Sequence, residues 1–145
     1  MNPMIRLLLA ATLLWSWLGP AAAQEILEAS DMVRGGMQAI DMIDQGKTGE
    51  LWDGAAPATR KRVTRAEFVS QVARSRAQIG MPQMRTWVSV NRQVVTAPDS
   101  DTAGQYVSIE YETRFASKPD GTVRELVSFH LDQDRVWRFS GYALK

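Results

Sequence analysis

The chain of 145 residues has no cysteine. That excludes disulfides, thiolate nucleophiles and cysteine-ligated metals, and it excludes a thioether-linked lipid anchor. There is one histidine, His130, and no clustering of carboxylates at ligand spacing, so the pattern carries no metal site. An excess of one charge is also missing: 17 Lys and Arg stand against 16 Asp and Glu, and one basic residue, Arg6, lies in the leader described next. Such a balance creates no long-range field to hold nucleic acid or an anionic membrane surface. No phosphate loop, dinucleotide fingerprint, Gly-x-Ser-x-Gly elbow, internal repeat or low-complexity stretch occurs. The composition therefore calls for no cofactor.

What is present begins with an apolar run over residues 7–18, preceded by Arg6, broken by Gly19 and Pro20, and followed by Ala21, Ala22 and Ala23. This is the three-part layout of a secretory signal peptide. The run falls short of the roughly 20 residues that span a bilayer core. The expectation is cleavage after Ala23, with an uncleaved anchor as the alternative. Residues 1–23 then form the signal peptide and residues 24–145 a single α+β domain, periplasmic or secreted, held together by core packing alone.

Residues 30–45 carry a helical period in Val33, Met37 and Ile40, with Ala39 and Ile43 beside them. Ser30 is placed as N-cap, Asp31 favours the first turn, and Gly46 suits a C-terminal cap. Gly35 and Gly36 each cost about 1 kcal/mol in a helix interior; a kink or a close backbone approach would account for them. Thr48 then caps a short second helix with Leu51, Trp52 and Ala55, which stops at or near Pro57. Thr64 and Glu67 form a capping box that starts a third helix. Its stripe is Phe68, Val69, Val72, Ala73 and Ile79, and Gly80 and Pro82 close it.

Beyond Pro82 the period drops to two. Val88, Val90 and Val94 alternate with polar residues in a first strand. A second strand places Val107, Ile109, Tyr111, Thr113 and Phe115 on one face, with Glu110, Glu112 and Arg114 on the other as an exposed polar face. Lys118-Pro119-Asp120-Gly121 is a turn signal, a third strand runs over residues 123–131, and a fourth over 136–144. Alternation puts Trp137, Phe139 and Ala143 on one face of the last strand and Tyr142 and Leu144 on the other. That strand is then covered on both sides or sits in a homodimer. Short connections force antiparallel neighbours. The fold class is α+β: three N-terminal helices packed on a four-stranded antiparallel curved sheet.

Several short pieces recur in order: Asp44-x-Gly46 with Leu51-Trp52, Arg76-x-x-x-Gly80 with Arg85, Gly104-Gln105-Tyr106-Val107 leading to Tyr111-x-Thr113-x-Phe115, Arg124-Glu125-Leu126-Val127, and Trp137-Arg138-x-x-Gly141-Tyr142. Together they resemble the bacterial family called domain of unknown function 4019. The resemblance covers the chain from about Ala39 to the C-terminus. It implies a small exported protein and brings no catalytic residue with it. The family often has Glu-Thr-Val where this chain has Glu125-Leu126-Val127, so a hydroxyl role is not carried over. The order of elements also looks like the cystatin-like fold of nuclear-transport-factor-two-like proteins, in which a curved sheet wraps helices around a conical pocket.

The residues themselves single out Glu125, which shares the parity of Val123, Val127, Phe129 and Leu131 on an otherwise apolar face. A buried carboxylate must be paired, and Arg76 or Arg85 is the expected partner, as a structural tie or as part of a site. Tyr111 or Arg76 would polarise a substrate if Glu125 were an acid or base. Trp52 staples the short helix over the mouth of the sheet or walls a pocket. His130, opposite Phe129 and Leu131, is read as a solvent-facing strand residue, and Arg60, Lys61, Arg62 and Arg65 as a solvated basic knot. The expected role is a non-enzymatic module binding an envelope protein or a small apolar ligand. The alternatives are a small pocket lyase, isomerase or hydrolase using Glu125, and a structural envelope protein whose sheet dimerises.

Overall fold

A computed structural model describes residues 28–145; the signal peptide and cleavage site expected from the sequence fall outside the described residues. Among the described residues four helices precede four strands: α1 (Ala29–Asp44), α2 (Thr48–Asp53), α3 (Pro57–Arg62), α4 (Arg65–Ala77), β1 (Pro82–Val95), β2 (Gly104–Phe115), β3 (Val123–Leu131) and β4 (Trp137–Leu144). The strands form one antiparallel meander in the order β1-β2-β3-β4. The helices cover one face of this curved sheet. Between the layers lies the core, built from Ile40, Ile43, Leu51, Phe68 and Val72 against Val107, Ile109, Tyr111, Val127 and Phe139.

The helix count corrects the sequence reading. Pro57 does not stop the short helix; it occupies the first turn of a separate one. Its missing N–H is an orphan at N1 and its φ is already helical, so it starts α3 at no cost. Two caps differ as well. Glu28, not Ser30, is the N-cap of α1, and Lys47, not Thr48, that of α2, neither with a side-chain cap bond. The capping box at Thr64 and Glu67 is formed in both directions. At the other end of α1, Gly46 adopts φ 75°. Its N–H donates to Ile43 and that of Lys47 to Met42, which is the Schellman arrangement that frees the next residues to turn.

Gly36 has a packing reason rather than a backbone one. A Cβ there would stand 2.4 Å from the Tyr111 hydroxyl. The absent side chain lets the phenol pass under α1 and donate to the Val33 carbonyl at 2.6 Å. α1 is thus stitched to the centre of β2.

Two irregularities change which residues face the helices. In β1 the register slips between Trp87 and Ser89. Arg85 and Trp87 before the slip and Val90 after it lie opposite Thr113, Tyr111 and Ile109, so they share the helix side. Val88 is the extra residue and is exposed, as is Val94; the three valines do not form one buried stripe. In β4 the slip falls between Gly141 and Phe139, opposite Ser128 and Phe129. Trp137 and Phe139 face the helices as expected, but beyond the bulge the parity inverts. Tyr142 and Leu144 pair with Val127 and Glu125 on the helix side, and Ala143 turns outward and is exposed. A bulge adds one residue to one strand and flips every side chain after it.

Candidate functional site

Where the C-terminal ends of α1 and α4 meet the sheet, four charged side chains converge. Asp44 is the last residue of α1, Arg76 sits in the last turn of α4, and Arg85 and Glu125 point inward from β1 and β3. Glu125 is 0% exposed. Its Oε1 accepts from Arg85 Nε at 2.7 Å and from the Thr113 hydroxyl. Its Oε2 accepts from Tyr142 Oη at 2.7 Å and Arg76 Nη1 at 3.1 Å. Asp44 closes the ring: Arg76 Nη2 donates to its Oδ1, and Arg85 Nη1 reaches its Oδ2 at 3.0 Å. Two guanidiniums face two carboxylates, so the cluster is neutral as a unit.

Burial works against the charge on both arginines. For Arg76, the Tyr142 hydroxyl and Asp44 outweigh it, and for Arg85, Glu125 and Asp44 do, so both guanidinium pKa values end above the ordinary one. The Arg76 guanidinium also lies over the Phe115 ring, 4.9 Å from its centroid, a cation–π contact that compensates for lost water. Burial first, then Glu125, pushes the Tyr142 phenol well above its usual range. One donor is left over: Arg85 Nη2 is buried with no hydrogen-bond partner among the described residues.

Of the residues singled out from sequence, Glu125, Arg76 and Arg85 meet in this cluster. Glu125 engages both arginines rather than one of them. Tyr111 is the cross-strand neighbour of Glu125, yet its hydroxyl is committed to Val33. Burial, with Glu125 nearby, pushes its pKa up to about 12. Trp52 stands elsewhere: its indole donates to the Val63 carbonyl at 3.0 Å and ties α2 to the start of α4. Asp44, Thr113 and Tyr142 are members that residue-by-residue reasoning passed over. Gly141 was the available signal for Tyr142, because an isolated glycine inside a strand marks a bulge.

His130 does not face solvent. It is 3% exposed, on the side of the sheet away from the helices. Its Nδ1 lies 2.7 Å from Asp132 Oδ1 and its Nε2 3.1 Å from the Ala103 carbonyl, while the Tyr106 ring packs against it at a tilt, with centroids 4.5 Å apart. Both nitrogens are occupied in pinning the loops at this end of β2 and β3. Gly104 adopts φ 131° and comes close to the imidazole. Of the basic knot, Arg60, Lys61 and Arg62 form the last turn of α3, where cations suit the helix dipole. Lys61 pairs with Asp101 and Arg65 with Asp53.

Two open grooves flank α4. One, of about 410 Å³, runs between α4 and the end of α1 and is lined by Ile43, Val69, Ala73 and Met81 together with Asp44 and Arg76. The other, of about 340 Å³, separates α4 from β4 and is lined by Arg62, Phe68, Gln71, Val72, Ser75 and residues 140–144. Glu125 lines neither. No three His, Asp or Glu side chains among the described residues come together as a metal site.

The family described as Protein of unknown function (DUF4019) matches residues 35–142, and the chain belongs to that family. The match takes in every member of the charged cluster. No curated protein matches the chain.

Proposed function

We propose that this protein is an exported, non-enzymatic module that binds a protein partner in the cell envelope through the surface around α4. The observation that carries this reading is the state of Glu125. It is 0% exposed and its two oxygens accept four hydrogen bonds. A general acid or base must reach a substrate proton within about 3 Å, and this carboxylate has neither a free lone pair nor an approach. Its cluster instead locks α1, α4 and all four strands of the sheet into one geometry, on which surface grooves are held. The layers are packed shut by Ile40, Ile109, Tyr111 and Val127, which favours a surface partner over an enclosed apolar ligand. Exposed Met81, Met84 and Trp87 add contact area of the kind found at interfaces. The leader over residues 1–23 supports the location, and helices on a curved meander support the cystatin-like, nuclear-transport-factor-two-like arrangement.

A panel of lyase, isomerase and hydrolase substrates, run with residues 24–145 and with Glu125→Gln, tests the absence of catalysis. No turnover is expected from either. Turnover that disappears in a folded Glu125→Gln variant would establish the pocket-enzyme alternative. Intact mass of the protein from an envelope fraction tests export: a chain beginning at Gln24 is expected, and full-length chain confined to the cytoplasm would overturn it.

A further inference from the structure

β4 is an edge strand, and its edge is only half covered. At its start, α3 supplies partners: Ala56 N donates to the Phe139 carbonyl at 2.8 Å and the Thr59 hydroxyl to the Ser140 carbonyl at 3.1 Å. Beyond Ser140 this cover stops. The phase of the ladder is set by Arg124 and Lys145, which exchange both main-chain bonds at 3.2 and 2.9 Å. Antiparallel pairs alternate between bonded and non-bonded. Leu126 with Ala143 and Ser128 with Gly141 are therefore bonded pairs, and the N–H and C=O groups of Tyr142 and Leu144 point away from β3. No main-chain bond from another described element meets them. They open into the 340 Å³ groove below α4.

We propose that this groove receives an extended, acidic segment of a partner protein, which adds as a strand to β4 over residues 141–144. The inference rests on the binding-module reading above and names the partner's chemistry. Outward main-chain groups supply the generic affinity of strand addition, and pockets for alternate side chains supply selectivity. Phe68, Val63 and Val72 offer the apolar wall, and Gln71 and Ser75 offer polar contacts from α4. The Ser140 hydroxyl, also in the lining, has no hydrogen-bond partner among the described residues, and one bond rotation would turn it toward an incoming amide. Charge selects the acidic class. No carboxylate lines the groove, and Arg62 at its α3 end makes no ion pair among the described residues. An acidic side chain or a chain-terminal carboxylate would complete it. A second copy of this chain does not fit the charge requirement, because its own edge strands, β1 and β4, carry no Asp or Glu.

The test is a display library of random octapeptides with free C-termini, panned on residues 24–145, followed by anisotropy of the best peptide labelled with fluorescein. Enriched peptides should alternate apolar and polar residues and carry an acidic group. Arg62→Ala should weaken binding about tenfold, and Leu144→Pro by about three- to tenfold, since it removes an outward N–H without touching the β3 ladder. Val94→Ala, exposed on β1 at the opposite edge of the sheet, should leave binding unchanged. Should Leu144→Pro not fold, hydrogen exchange of the wild type decides: the peptide should protect the Tyr142 and Leu144 amides. Peptides that bind without protecting those amides, or that ignore Arg62→Ala, would overturn this site and leave the binding-module reading standing. A library with no enrichment would overturn the peptide class as well. Turnover in the substrate panel would remove the reading on which both rest.

Discussion

Glu125→Gln is the sharpest perturbation of this molecule. It keeps the shape of the side chain and removes its charge, leaving Arg76 and Arg85 buried against Asp44 alone. At an effective dielectric constant near 20, a carboxylate–guanidinium pair about 4 Å apart attracts by about 4 kcal/mol. Two such pairs put about 8 kcal/mol at stake, from which several kcal/mol of carboxylate desolvation must be subtracted. A net loss of about 3–5 kcal/mol is expected, as when one partner of a buried ion pair is removed. Domains of this size hold about 5–15 kcal/mol in total, so the variant should still fold in the cold. The second arm is Arg85→Met, and the third is the double variant. The double variant restores balance between Arg76 and Asp44 and should lose less than the sum of the singles by about 1–3 kcal/mol. Urea unfolding followed by tryptophan fluorescence and circular dichroism reads all three, with a midpoint drop of about 2 M for Glu125→Gln at an m-value of about 1–3 kcal/mol/M. Additive losses, or a single-variant cost under about 1 kcal/mol, would refute the account of the cluster.

The adjacent glycines of α1 should respond in opposite directions. Gly36→Ala gains about 1 kcal/mol of helix propensity but drives its Cβ into the Tyr111 hydroxyl, so a net loss of about 1–3 kcal/mol is expected in thermal unfolding. Gly35→Ala meets only Phe129 Cζ at 3.7 Å and should be stabilising by up to about 1 kcal/mol. Thr64→Ala removes the side-chain acceptor of the α4 capping box and should cost about 1 kcal/mol by the same measurement. The tyrosines predict alkaline behaviour. The Tyr111 pKa is raised to about 12 in the fold, so its contribution is whole below the unfolded value of about 10 and is lost as pH rises through about 12. Tyr142 is shifted the same way. Tyrosinate absorbance should therefore appear together with loss of circular dichroism above about pH 10, and tyrosines that all titrate near that value in an intact fold would contradict it.

Much of the architecture could be read from local chemistry. The capping box of α4, the glycine that ends α1, the alternation of β2 and the turn before β3 each depend on neighbours within a few residues, and each formed where the residues placed it. Pro57 misled because the same residue can follow one helix or begin the next. Glu125 was conspicuous because it broke an apolar pattern within its own strand. Tyr142 and Asp44 broke no such pattern, and Thr113 was read as one more member of its strand face, so none of the three was placed with Glu125.

The amino-acid sequence by itself determined the α+β class, the antiparallel meander and the presence of an inward carboxylate, because helical and strand periods and turn residues act over short range. Only the tertiary structure decided what that carboxylate meets. A bulge at Ser140 inverts the end of β4 and brings the Tyr142 hydroxyl to Glu125, and the packing of α1 and α4 on the sheet brings Asp44 and Arg76 to the same point. Whether a strand carries an extra residue depends on its partner across the ladder. Which charges meet depends on how layers distant in sequence come together, and neither is encoded in the spacing of any one segment.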